Sequence, residues 1–155
     1  MMEKHELKKT SMASLHPIIS ESVKDGGQFV FYPSGMSMYP TIVEKEDCVV
    51  LIEAKELEKN DLILYLREGG KYVLHRIISK ANGKYILCGD NQYVLERGIS
   101  ESQIIAKASE IRKPDGRTFN LCQIRAYRPS PKRFIIRQLY RFRSFLGRIK
   151  RKLLG

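Results

Sequence analysis

The stretch LILYLREGGKYVLHRIISKANGKYILCGDN, residues 62–91, decides the fold. Its three apolar runs, LILYL (62–66), YVLHRII (72–78) and YILC (85–88), are rich in the branched and aromatic side chains that suit a pleated surface. Between them lie EGGK (68–71) and ANGK (81–84), whose Gly and Asn accept the left-handed backbone that tight hairpins need. The stretch therefore reads as successive hairpins, closed by a GDN turn at 89–91. Working outward, FVFY (29–32) and CVVLI (48–52) add strands, with PSG (33–35) and EKND (58–61) as turns. Two more strands are expected near 103–111 and 117–125, joined by PDG at 114–116. The fold class is mainly β, a mostly antiparallel domain over 28–128. Ahead of it, SMASLHPIISESVK (11–24) within segment 1–27 predicts a short helix stopped by Asp25, Gly26 and Gly27. His16, just before Pro17, reads as a surface residue, and His5 has no assigned role.

The charge divides the chain differently. Of its 28 Lys/Arg and 17 Asp/Glu, residues 1–124 hold 17 basic and all 17 acidic side chains. The net charge of +11 thus belongs wholly to residues 125–155, so the body is neutral and the tail basic. After Pro129 and Pro131, Ile135, Leu139, Phe142, Leu146, Ile149 and Leu153 recur at alternating steps of four and three, one stripe of a helix. Arg137, Arg141, Arg148 and Arg151 lie opposite. Segment 129–155 is therefore expected to be a basic amphipathic tail, helical over 132–154. An anionic membrane surface suits such a stripe best, a packed helix covering the β domain is the plainer alternative, and nucleic acid is not the expected partner. No run reaches the roughly 20 apolar residues of a membrane span, and the N-terminus lacks the apolar core of a secretory signal. The expected location is cytoplasmic, peripheral at the inner membrane surface. Cys48, Cys88 and Cys122 lie far apart without metal-ligand spacing, which disfavours a disulfide framework. No metal and no cofactor is expected.

Three short elements carry the chemistry. In PSGMSMYPT (33–41), Gly35 permits a sharp turn, Ser37 stands at its tip, and Pro40 fixes the exit. A serine attacks a carbonyl only when it is exposed and has a base for its proton. Taken alone, Ser37 is a serine in a turn. His75 is the only histidine of the β body and interrupts an apolar strand beside Arg76, the two pointing to opposite faces. Histidine suits general-base work because it titrates near neutrality. Third comes CGDNQYVLE (88–96), where Asp90 sits in a turn and Glu96 follows six residues later.

In this order the elements resemble a family. Ser37-Met38-Tyr39-Pro40 is similar to the Ser-Met-x-Pro nucleophile box of type I signal peptidases. Asp47-x-Val49 and Asn60-Asp61-Leu62-Ile63 resemble that family's next strand and its Gly-Asp turn, with Asn60 in place of Gly. Leu74-His75-Arg76-Ile77-Ile78 resembles the His-containing base box of the archaeal and endoplasmic-reticulum branch, and Gly89-Asp90-Asn91 matches its Gly-Asp-Asn box. Ser34-Gly35-Met36-Ser37-Met38 is closer to LexA-type self-cleaving repressors.

The resemblance, over about 33–96, implies a LexA/signal-peptidase-like β fold and a serine endopeptidase acting on peptide or leader sequences. Ser37 would be the nucleophile, His75 the base, and Asp90 or Glu96 the orienting acid. Gly35 stands where signal peptidases can place a hydroxyl, so the oxyanion would fall to the N–H groups of Met36 and Ser37. An extended substrate would add beside an exposed strand near 29–34 or 62–66. The competing reading is a non-catalytic or self-cleaving LexA-like regulatory module binding partners or nucleic acid through its tail. His75, where LexA-type proteins use Lys, favours the peptidase, and segment 1–27 is too short for a helix-turn-helix.

Overall fold

The computed structural model describes residues 11–121. The amphipathic helix expected at 132–154, and the end of the strand expected at 117–125, lie outside them. Helix α1, Met12–Ser22, starts where the Ser11 side chain accepts the Ser14 N–H at 3.2 Å. It stops short of the expected 11–24. Lys24–Gly26 instead forms a single 3-10 turn, with Asp25 already in the left-handed region at φ 52°. Ile19 and Val23, four residues apart on one face, are buried against the sheet in the same core as Val49, Leu51 and Ala108. This docking also corrects the surface assignment of His16. It is half-buried, with Nδ1 3.0 Å from the Tyr72 hydroxyl.

The strands are β1 (Phe29–Phe31), β2 (Cys48–Ile52), β3 (Leu62–Arg67), β4 (Lys71–Ala81), β5 (Lys84–Cys88), β6 (Glu96–Ile99), β7 (Ile104–Arg112) and β8 (Thr118–Asn120). They form one antiparallel sheet in the order β1-β2-β7-β3-β4-β5-β6, with β8 on β7. The protein is thus mainly β with one short helix among the described residues. Both expected hairpins form, β3–β4 and β4–β5.

The unbroken apolar run of β3 has a physical reason. Leu62 and Leu64 enter one core with Leu51, Leu74 and Ala106, while Ile63 and Tyr65 enter a second with Ile77, Leu87 and Ile99. Residues 62–65 are covered on both faces, so the run is apolar up to Arg67 at its end. It is also paired on both edges, by β4 and β7, so the option of a substrate strand beside 62–66 has no free edge to use. Two other edges differ. β1 is terminal in the sheet, and β5 pairs with β4 only from Arg76 onward. Among the described residues no strand covers the outer edge of β4 at 71–75. At the β3 entry Asn60 has φ 80°, which explains Asn where the resembled box has Gly, since Asn tolerates that region.

Candidate functional site

The loop after β1 carries Ser37. Gly35 takes φ +92° in open space, so the backbone and not crowding demands glycine there. Met38 is buried beneath the loop with Ile42, whereas Met36 is 61% exposed, and Ser37 sits half-buried between them. The Tyr39–Pro40 peptide is cis. The 89–91 turn braces this loop from the side. Asn91 donates its backbone N–H to the Ser37 carbonyl at 2.8 Å and its side-chain Nδ2 to the Met36 carbonyl at 3.1 Å. The Thr41 hydroxyl donates to Asp90 at 2.5 Å. Further along, buried Asp47 accepts the Val43 N–H and Lys113 Nζ, and Lys113 also reaches the Thr41 carbonyl. The Ser37 loop is held at both ends.

His75 lies opposite Ile63 on β4, and is 1% exposed. Its Nδ1 is 3.0 Å from Glu96 Oε1 and 3.3 Å from the Tyr65 hydroxyl. Its Nε2 is buried and has no hydrogen-bond partner among the described residues. Ser37 and His75 line one cavity of about 210 Å³, with Gly35, Met38, Ile42, Tyr72 and Leu74 among its walls. Gly89 shows how closely the two approach. A Cβ there would meet the Ser37 carbonyl oxygen at 2.6 Å and His75 Nε2 at 3.0 Å.

Burial pushes the His75 imidazole below the ordinary histidine value, against the opposing pull of the Glu96 carboxylate. Glu96 itself is raised by burial, but hydrogen bonds from Arg67 and Tyr65 outweigh this and hold it below its ordinary value. An ionised carboxylate only accepts, so the neutral imidazole carries its proton on Nδ1. The Nε2 lone pair then has no hydrogen-bond partner among the described residues, Ser37 Oγ included, and lies next to Gly89. Such a nitrogen can take a proton from a hydroxyl that faces it within hydrogen-bond reach.

The structure thus brings Ser37, His75 and Glu96 to one place. Asp90, the competing acid, sits on the other side of β4. It accepts Arg76 Nε at 2.9 Å and Nη2 at 2.7 Å in a bidentate pair buried on both sides. Three contributors escaped sequence reasoning. Arg67 pairs bidentately with Glu96, through Nε at 2.8 Å and through a close Nη2 contact. Tyr65 donates to Glu96 at 2.7 Å. Gly89 provides the space described above. Only Gly89 had a local signal, its place in the turn. The other two reach a residue 29 or 31 positions away, which strand order alone reveals.

A second cavity, about 540 Å³, adjoins on the Glu96 side and shares Arg67 and Gln92 with the first. A third, about 550 Å³, surrounds the Asp61–Lys107 ion pair. Neither Ser37 nor His75 lines it, so size does not mark the chemistry here. Cys48 is half-buried and Cys88 buried. Among the described residues no three His, Cys, Asp or Glu side chains group as metal ligands would, and no helix is long and apolar enough to cross a membrane. The chain matches no known family model, no curated protein and no solved structure.

Proposed function

We propose that the chain is a serine endopeptidase related to signal peptidases and LexA-type proteins, with Ser37 as nucleophile and His75 as general base. One observation carries the reading: Nδ1 of His75 is held by Glu96, buried Nε2 has no hydrogen-bond partner among the described residues, and Ser37 and His75 line one cavity. Most buried side-chain nitrogens are bonded, so such a nitrogen calls for an explanation. In this mechanism Nε2 takes the Ser37 proton as Oγ attacks a peptide carbonyl, and the imidazolium returns it to the leaving amine. Glu96 holds the tautomer and steadies the imidazolium. Asp90 takes no part in the proton transfer, since its carboxylate is engaged by Arg76 and Thr41. The N–H groups of Met36 and Ser37 serve the oxyanion.

The substrate is an extended peptide that adds along the open edge of β4 at 71–75, facing β1 or the loop that follows it. The cavity beside Ser37 is small, which suits a small side chain next to the cut. The basic amphipathic segment 132–154 would hold the enzyme on an anionic membrane surface. The test is reaction of the full chain with a serine-directed phosphonate and mapping of the modified residue. Labelling at Ser37 that disappears in His75→Ala supports the reading. Modification elsewhere, or equal labelling of Ser37 without His75, defeats it.

A further inference from the structure

Both oxygens of Glu96 are occupied. Oε1 receives His75 Nδ1 and Arg67 Nη2, and Oε2 receives the Tyr65 hydroxyl and Arg67 Nε. We propose that Tyr65 and Arg67 are positioning residues that clamp Glu96 against His75, so that the base is a four-residue unit. The inference rests on the reading of His75 as the base.

The topology explains why a clamp is needed. Glu96 opens β6, a four-residue strand at the rim of the sheet that pairs with β5. A long carboxylate side chain on such an element has little to fix its torsions. Tyr65 and Arg67 come from β3, paired on both sides, and being two apart they lie on one face. The least secured element thus supplies the acid, and the best secured one holds it. Tyr65 is fully buried among Ile63, Ile77, Tyr85 and Leu87, where phenylalanine would fill the same space. Its hydroxyl is tolerated there because it finds Glu96. Arg67 is the more exposed partner and lines both cavities of the site.

The clamp also sets how readily His75 accepts a proton. The charged and titratable groups that act on it are Glu96 from β6 and Arg67 and Tyr65 from β3, with Asp90, after β5, acting from beyond the strand. Burial lowers its affinity for a proton, Glu96 and Asp90 raise it, and Arg67 lowers it. Arg67 therefore offsets much of the carboxylate's charge, so the carboxylate orients the ring without saturating it with a proton. Without the guanidinium, Glu96 acts on His75 undiluted and the imidazole stays protonated to higher pH.

The experiment is a pH titration of the full chain by imidazole nitrogen NMR, with His75 assigned from His75→Gln. In the unmodified protein the neutral ring should carry its proton on Nδ1, with a midpoint below that of a free histidine. Arg67→Gln should move the midpoint up by about one pH unit, a shift of the size one nearby charge produces. Arg67→Lys should recover most of that shift, because the charge returns, but not the single tautomer, because an ammonium lacks the two-point fork. Tyr65→Phe, which keeps the ring and hence the packing, should mix the two tautomers and slow phosphonate reaction at Ser37 about tenfold. If tautomer and midpoint are unchanged in both Arg67→Gln and Tyr65→Phe, the clamp is overturned, whatever the labelling does. If the NMR changes appear but Ser37 of the unmodified protein never reacts, the clamp stands and the peptidase reading falls.

Discussion

The two faces of β4 carry the same pair of chemical groups and use them differently. On one face Asp90 grips Arg76, side chains 2% and 5% exposed. On the other Glu96 grips Arg67, at 17% and 37%, and also touches His75. The first pair ties the Ser37 loop, through Thr41, to the strand that bears His75. Beside the second, Nε2 of His75 has no hydrogen-bond partner among the described residues. Two carboxylate–arginine pairs whose acids lie six residues apart are thus told apart not by their own geometry but by what else they satisfy. A polar group left unsatisfied in a buried place costs stability and is retained where it has a task.

Removing the unsatisfied atom should have the largest effect of all. His75→Ala is expected to lower peptide cleavage by a factor on the order of 10⁴ or more, as loss of a triad member does. A variant that retains turnover would erase the distinction between the faces. Next come the two acids, measured side by side. Asp90→Asn should cost about 3 kcal/mol or more in denaturant unfolding, because a buried guanidinium loses its counter-ion. Glu96→Gln should leave unfolding nearly unchanged and reduce cleavage roughly 10- to 100-fold. If the two acids show the same ratio of stability loss to activity loss, the comparison is wrong.

Where the faces meet, Gly89→Ala should cut cleavage about tenfold by pushing the Ser37 backbone away from Nε2, as small misplacements do. A neutral result would mean that the loop gives way freely. The mildest test is pH. Activity should rise with pH through the lowered value of His75, with its acid limb below the ordinary histidine value of about 6.5. The sign for stability follows. Above about 6.5 neither state binds the proton, while below it the unfolded chain does and the buried imidazole lags. Stability should therefore fall as pH drops from there, and His75→Gln should lose that part of the slope. A limb above 6.5 would place Glu96, not burial, in control.

Much of this was legible in the residues themselves. CVVLI lies in β2 as expected, and the runs at 62–66, 72–78 and 85–88 sit inside β3, β4 and β5. Their composition answers to burial on two faces, which is a local demand. β6 was not seen, because Glu-Arg-Gly-Ile has only one buried apolar side chain and no alternation, as befits a rim strand. Ser37 and His75 were singled out by the order of their boxes, since a turn serine and a lone histidine in an apolar strand are each weak signals alone. The partners of the acids were not, since Asp90 binds across 14 residues and Glu96 across 29. Asp90 looked like the cap of its own turn, and instead joins a strand to a distant loop.

The outer edge of β4 at 71–75 has a further consequence. Among the described residues no strand pairs with the backbone groups there, and a row that could take one extended chain could take any other, including the edge of another copy. The molecule limits that hazard by keeping the gap short, since β5 closes it from Arg76, and by placing the charge of Lys71 at its start. Self-association and the proposed peptide recognition would therefore draw on the same few peptide groups. Self-association would appear as turnover per molecule falling while the protein concentration rises, and constant specific activity across dilution would show that the edge is guarded.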